Sequence, residues 1–368
     1  MSKFLFYDDQ AINVLLLEEK LSGGAAVQAY GWMQGLLSQG QEVSLITDLF
    51  EKGPIKDEAK AIDLHCMFDS EKGVKWLRWV YYRIPYLYNK IKQIRPDYFY
   101  LGIPSWHSFL YAVICRTLNI KFIQRISNDF MLDERFMRNN SRLHYKLMKA
   151  GISLSYCVLC QNDYQLKMIR RDFPDKKALK ISNPFYTKRP NTTNSPNKQY
   201  IAWIGLFQYQ KNLRLLYEIA SLLKEEKFVV AGKALMEIDE ESEKYLGLLK
   251  TLPNVQFVGF LDRTKIFNFL EKAKFILNTS HYEGFSNTFL EAMASGVPIL
   301  SSSKVNPDNI LNAYNLGIVY EDAVDLVDQL SQLTPDARST MAQNCLEYVK
   351  QRHDYRKLTK ELLNFLEA

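Results

Sequence analysis

No stretch of the sequence approaches ~18 consecutive apolar residues, so no helix is expected to cross a membrane. Cysteine is scarce: five residues, an odd number scattered over 368, do not make a disulfide framework, and reduced thiols of a cytoplasmic protein are expected. The redox-spaced pair in Cys157-Val-Leu-Cys160 lies in an apolar run that reads as a buried strand. Residues three apart on a strand face opposite sides, which weighs against a shared metal or redox role. Charge of one sign is not concentrated either. With 47 Lys and Arg against 41 Asp and Glu, a net +6 is too mild and too dispersed for a nucleic-acid binder. It does favour anionic surfaces, including phosphorylated substrates and the inner face of a membrane. The opening Met1-Ser-Lys-Phe-Leu-Phe-Tyr reaches acidic Asp8 and Asp9 after a very short apolar run, so no signal peptide is expected. There is no repeat of solenoid length and no low-complexity tract. The G-x-G-x-x-G fingerprint is absent, which counts against a dinucleotide-dependent dehydrogenase.

What is present is an alternation of short apolar runs with helix-length amphipathic segments, the pattern of parallel α/β sheets covered by helices. The length favours two domains of about 150–190 residues. In the first half, strands are expected at Lys3–Tyr7, Glu42–Thr47, Tyr98–Leu101, Lys121–Ile126, Tyr156–Cys160 and Ala178–Ile181. Helices fit Ala25–Leu37, Trp76–Ile94, Ser105–Leu118, Leu143–Lys149 and Asp163–Arg171. The pattern restarts at Tyr200–Ile204 and continues through Phe228–Val230, Val255–Val258, Phe275–Leu277 and Pro298–Leu300. A polar, proline-containing stretch without periodicity separates the halves. The expected division is 1–185, a linker at 186–199, a second domain at 200–350, and a C-terminal helix within 351–368.

Chemistry concentrates in His281-Tyr-Glu-Gly-Phe-Ser-Asn-Thr-Phe-Leu-Glu-Ala-Met-Ala-Ser-Gly-Val-Pro298, where Glu283 and Glu291 bracket a turn from a strand into an amphipathic helix. Capping by Ser286, Asn287 or Thr288 leaves the first helical amides available, and with the helix dipole they favour an anion such as a diphosphate. Glu291 can accept hydrogen bonds from ribose hydroxyls and Glu283 from hexose hydroxyls. The ligand-free alternative is a capping box over Thr288-Phe-Leu-Glu291. A second anion-friendly element is Ser22-Gly23-Gly24, read as following strand one and opening a helix, with a plain tight turn as its alternative. Lys211 precedes Asn212, a plausible helix N-cap, and a cation beside the positive end of a helix is unfavourable unless an anion shares the site.

Glu283 through Pro298 closely resembles the signature of the family 4 retaining glycosyltransferases. Their fold, called GT-B, has two Rossmann-like parallel-sheet domains facing each other across a donor-binding cleft. The runs Gly23–Val43 and Trp203–Ala220 resemble the family's opening loop and its strand carrying a diphosphate-binding lysine. The resemblance implies that Glu283 contacts the donor sugar, that Gly284, Phe285, Ser286, Asn287 and Thr288 hold sugar and phosphate through backbone, and that Glu291 binds the ribose. It places Lys211, Gly23, Gly24 and Gly205 at the phosphates, and the nucleobase near Gly232, Lys233 and Phe260. Two departures stand out. Leu206 replaces an arginine common after the strand glycine, and Asn128-Asp129 replaces a His-Asp pair, leaving Asp129 to meet the acceptor hydroxyl or transition state or simply to cap a turn. His107 and His281 are expected to be structural or solvent-facing.

The resemblance thus implies transfer of a hexose from a nucleoside diphosphate sugar, a UDP-sugar favoured, with Glu283, Lys211 and Asp129 as catalytic candidates. No cofactor or metal such as Mg²⁺ is expected, because fixed positive groups neutralise the diphosphate. The acceptor is expected to be a saccharide or lipid-linked saccharide in surface polysaccharide or lipopolysaccharide synthesis. The aromatic and basic segment Lys75–Lys92 fits peripheral contact with the anionic inner face of the membrane, or a partly buried helix with snorkelling cations. A nucleotide-sugar epimerase on a similar fold and a non-catalytic sugar-nucleotide-binding protein remain as alternatives.

Overall fold

The computed structural model describes residues 1–20, 22–48, 53–75, 77–138, 140–186, 198–234 and 238–368. The chain divides into two compact units, Met1–Tyr186 together with Asp354–Ala368, and Thr187–His353. Most of the expected linker, residues 187–197, lies outside the described residues.

The first unit is built on β1 (Lys3–Tyr7), β2 (Glu42–Thr47), β3 (Asp63–Cys66), β4 (Tyr98–Leu101), β5 (Lys121–Arg125), β6 (Cys157–Cys160) and β7 (Ala178–Lys180). They form one parallel sheet in the order β3-β2-β1-β4-β5-β6-β7. The central strands are apolar along their whole length because helices cover both faces. On one face Phe4 stacks on Tyr98 at 4.7 Å and Phe6 packs at a tilt against Tyr100 at 4.6 Å, which fixes the register of β1 on β4. Burial pushes the thiols of Cys157 and Cys160, both in β6, up to about 12, so neither is a thiolate at neutral pH.

Two expectations change here. The helix expected over Trp76–Ile94 is a π-helical turn, Trp79–Arg83, followed by an α-helix, Ile84–Ile94. Pro85 in the first turn has no N–H to donate and its ring crowds the carbonyl four residues back, so the α-helical ladder cannot run through it. A short helix, Ala11–Leu15, also intervenes between β1 and the glycine pair. Gly23 is the N-cap of the next helix, Gly24–Ser38, and does not follow β1 directly.

The last helix, Tyr355–Glu367, completes the first unit. Leu358, Leu362 and Leu366, spaced by one helical turn, are buried in the same core as Phe4, Trp32 and Met33. Each such leucine contributes about 2 kcal/mol. Contact with the helix Gly24–Ser38 is close enough that a Cβ on Gly35 would lie 2.0 Å from Thr359 Oγ1 and 2.9 Å from the Tyr355 carbonyl oxygen. Tyr156 Oη donates to the Leu366 carbonyl at 3.1 Å.

In the second unit, β8 (Tyr200–Leu206), β9 (Phe228–Lys233), β10 (Val255–Gly259), β11 (Ala273–Asn278), β12 (Ile299–Ser302) and β13 (Gly317–Tyr320) form another parallel sheet. Their order is β10-β9-β8-β11-β12-β13.

The glycine requirement yields a prediction. Gly35→Ala should lower stability to urea by about 1–3 kcal/mol through overpacking, and adding Thr359→Ala should recover part of that loss. A single variant as stable as the parent would mean that the helix contact is looser than described.

Candidate nucleotide-sugar site

In the second sheet the strand order reverses between β8 and β11, and beyond the C-terminal ends of the strands at such a reversal is where open α/β sheets bind ligands. The loop leaving β8 is Phe207–Asn212 and the loop leaving β11 is Thr279–Ser286. A chain of hydrogen bonds ties them together. Trp203 Nε1 donates to Thr279 Oγ1 at 3.1 Å, and that hydroxyl donates to the Lys211 carbonyl at 2.7 Å. The His281 amide donates to the Gln210 carbonyl at 2.8 Å, and Gln210 Nε2 to the Tyr282 carbonyl at 3.0 Å. The His281 ring stacks on Tyr209 with centroids 4.7 Å apart.

These ties bring Lys211 and Glu283 together across 72 positions of sequence, Nζ to Oε1 at 2.5 Å. Ser280 Oγ donates to the same carboxylate oxygen at 3.0 Å. The two side chains are only 16% and 11% exposed, so their attraction is weakly screened. Asn212 adopts the left-handed conformation (φ 51°, ψ 68°), and its side-chain oxygen accepts from the Leu215 amide at 3.1 Å, capping the helix Leu213–Leu222. The Lys211 ammonium is carried by the residue just outside that helix, where the dipole opposes a cation, and Glu283 offsets it.

The helix Asn287–Ala294 starts after Ser286, and no side chain caps it. Ser286 Oγ lies 2.9 Å from Thr288 Oγ1 instead. Thr288 is inside the helix, so the capping-box alternative does not form. Glu291 is buried at 6% exposed. The helix closes at Gly296 (φ 60°), whose left-handed turn lets the Val297 amide bond back to the Ala292 carbonyl. Phe285 packs its ring on His353 at 5.1 Å, a structural contact for a residue expected at the donor. Gly205 and Gly232 pair across β8 and β9, and a Cβ on Gly232 would lie 2.0 Å from the Gly205 carbonyl oxygen. Lys233 Nζ sits 5.0 Å over the Phe260 ring, both at the strand ends beyond those glycines.

The other expected residues belong to the first unit. The Gly23 amide donates to Gln10 Oε1 at 2.9 Å, ahead of the helix that includes Gly24. Asn128, not Asp129, caps the short turn Asp129–Leu132, accepting from the Phe130 amide at 3.4 Å. Asp129 Oδ1 accepts from Asn162 Nδ2 at 3.0 Å and Gln165 Nε2 at 2.8 Å, while burial pushes its carboxyl above the usual range. Sequence reasoning missed Trp203, Thr279, Ser280 and Gln210, whose support of the two loops depends on strand order. Among the described residues no group of three His, Cys, Asp or Glu is placed to hold a metal ion, and no helix is long and apolar enough to cross a membrane.

Residues 198–336 match the model of the family described as Glycosyl transferases group 1. The match lies within the second unit. In sequence, 192 residues are 26% identical to the alpha-monoglucosyldiacylglycerol synthase of Streptococcus pneumoniae, covering 48% of this chain and 42% of that protein. The chain thus spans less than half the length of that relative. In structure, sucrose-phosphate synthase from Thermosynechococcus elongatus superimposes with a TM-score of 0.80 at 15% identity, over 100% of this chain and 98% of that one. Anabaena HepE, solved in complex with UDP and glucose, gives 0.78 at 15% identity over 100% of both chains. These likenesses show the GT-B fold, two Rossmann-like parallel-sheet domains.

Lys211→Met in the second unit strands a largely buried carboxylate, and should cost about 3 kcal/mol of stability to urea, most of it recovered by adding Glu283→Gln. Equal losses in the single and double variants would mean the pair is not coupled. In the first unit, burial with help from Asp9 raises the Asp8 carboxyl from its ordinary 3.8 to about 7. A raised acid contributes fully below its unfolded value, and that contribution is lost as pH rises through the folded value. Asp8→Asn should therefore raise the melting temperature at about pH 8 and change it little at about pH 4, and a pH-independent difference would discard the assignment.

Proposed function

We propose that the protein is a retaining glycosyltransferase. It moves a hexose from a nucleoside diphosphate sugar, a UDP-sugar favoured, to a saccharide or lipid-linked saccharide acceptor in surface polysaccharide or lipopolysaccharide synthesis. The observation that carries the reading is the reversal point between β8 and β11, whose loops carry the Lys211–Glu283 pair and lead into the side-chain-uncapped start of the helix Asn287–Ala294. In this reading the diphosphate lies against the amides of Ser286 to Thr288, and Lys211 turns part of its charge from Glu283 to the phosphates. Glu283, held by Ser280, then accepts hexose hydroxyls, and Glu291 accepts those of the ribose.

In the reaction the bond from the anomeric carbon to the diphosphate oxygen breaks, and a bond to the acceptor oxygen forms on the same face. The acceptor proton passes to the leaving phosphate oxygen, so no strong enzymic base is required. Lys211 and the helix amides stabilise the charge that develops on the diphosphate without a metal. HepE, solved with UDP and glucose, supports the choice of a UDP-sugar.

A lipid-linked acceptor draws support from the pneumococcal relative, a diacylglycerol glycolipid synthase by name, and from an exposed apolar and basic patch. Val74, Leu77, Val80 and Tyr81 are 55%, 39%, 69% and 52% exposed, interleaved with Lys72, Lys75 and Arg78. Such a patch suits an anionic membrane surface, and the protein would then act peripherally at the cytoplasmic face.

Calorimetric titration with UDP should give micromolar binding that Glu291→Ala abolishes. Lys211→Ala should lower transfer by about 10²-fold or more. UDP affinity unchanged in Glu291→Ala would discard the ribose assignment, and near-parental turnover in a folded Lys211→Ala would discard the diphosphate role.

A further inference from the structure

The first sheet also reverses its order, between β1 and β4, and a pocket of about 310 Å³ opens at that point. Asp8 and Asp9 line it from the end of β1, and Trp79, Arg83, His107 and Tyr111 from the segments around it. Arg83 is unusual in its surroundings. Its side chain is more than nine-tenths buried, at 8% exposed, with the guanidinium carbon 4.7 Å from the Phe68 ring centre and 4.9 Å from that of Trp79. Nη2 donates to the Ser70 carbonyl at 2.8 Å, whereas Nε is buried with no hydrogen-bond partner. No carboxylate among the described residues forms an ion pair with it. A buried guanidinium without a counter-ion is costly, and aromatic faces return only part of that cost.

His107 adds a second buried nitrogen without a partner, Nε2, at the same pocket. Its ring lies 4.6 Å from Trp79, and Nδ1 is 3.3 Å from Ser105 Oγ. Burial and nearby Arg83 lower this imidazole to about 4, so it is a neutral hydrogen-bonding group. The pocket therefore combines flat aromatic surface, carboxylates able to accept hydroxyl protons, and a planar cationic fork whose geometry matches a carboxylate or phosphate.

We propose that this pocket binds a saccharide bearing a carboxylate or phosphate group, with the anion on Arg83 and the sugar ring against Trp79. It rests on the glycosyltransferase reading in one respect, that the saccharide bound here is the acceptor. Its chemistry separates it from the nucleotide site, since the selecting cation lies in the first unit and the glycosyl transferase match in the second.

The test is ligand-observed NMR titration of the full chain with glucuronate, glucose 6-phosphate and glucose, alongside a UDP titration, in the parent, Arg83→Gln and Arg83→Lys. At least one anionic sugar should bind about tenfold tighter than glucose in the parent, and Arg83→Gln should erase that preference while leaving UDP affinity intact. Arg83→Lys keeps the charge without the fork and should retain an intermediate preference, which also serves if Arg83→Gln does not fold. Glucuronate or glucose 6-phosphate as the tighter ligand identifies the anion as carboxylate or phosphate. Glucose binding as tightly as both anionic sugars, or a preference that persists in folded Arg83→Gln, overturns the proposal. UDP binding without anionic-sugar binding refutes this pocket alone. Anionic-sugar binding without UDP binding supports the pocket and refutes the choice of a UDP-sugar donor.

Discussion

Because every strand in each sheet points the same way, all the strand-to-helix loops of a unit gather at one edge, and side chains far apart in sequence meet there. Parallel pairing thereby sets what either unit can do. It requires buried, continuously apolar strands, which leaves the polar and glycine-rich residues to the loops. In each unit the strand order reverses at one point, and charged side chains gather near it: Lys211 with Glu283 in one, and in the other Asp8 and His107 with Arg83 from the turn that precedes β4.

The two points handle charge in opposite ways. In the second unit the cation and the carboxylate satisfy each other, helped by Ser280, and the loops are cross-linked through Thr279 and Gln210. Each charge of such a pair is offset by the other, so neither is left stranded in its largely buried setting. In the first unit the guanidinium lies against two rings and donates to a single carbonyl, leaving its Nε without a partner.

How much of this was legible in the sequence depends on burial. β1, β2 and β4 coincide with the expected strands because their apolar runs are continuous and bounded by polar residues. β3 went unread because Asp63-Leu-His-Cys66 is a half-exposed edge strand with no apolar run, and β13 because its four residues fall between stronger helical patterns. The turn at Trp79–Arg83 was hidden inside a helical periodicity that Pro85 interrupts. Of the site, Lys211, Glu283 and Glu291 stood out as residue types in a motif, and Asn212 as a cap. The direct bond between Lys211 and Glu283 was not legible, since it depends on β11 lying next to β8 and no local spacing encodes that. The same holds for Arg83, whose meaning comes from what does not pair with it.

The helix Tyr355–Glu367 has a consequence for the order in which the protein is made. It supplies Leu358, Leu362 and Leu366 to a core whose other members lie almost entirely within the first 186 residues. A ribosome releases the second unit's entire sequence before it releases that helix. The earlier domain must therefore wait, with an apolar groove along the helix Gly24–Ser38 uncovered, while the later one already has every strand it needs. Synthesis from the N-terminus thus favours completion of the second unit before the first.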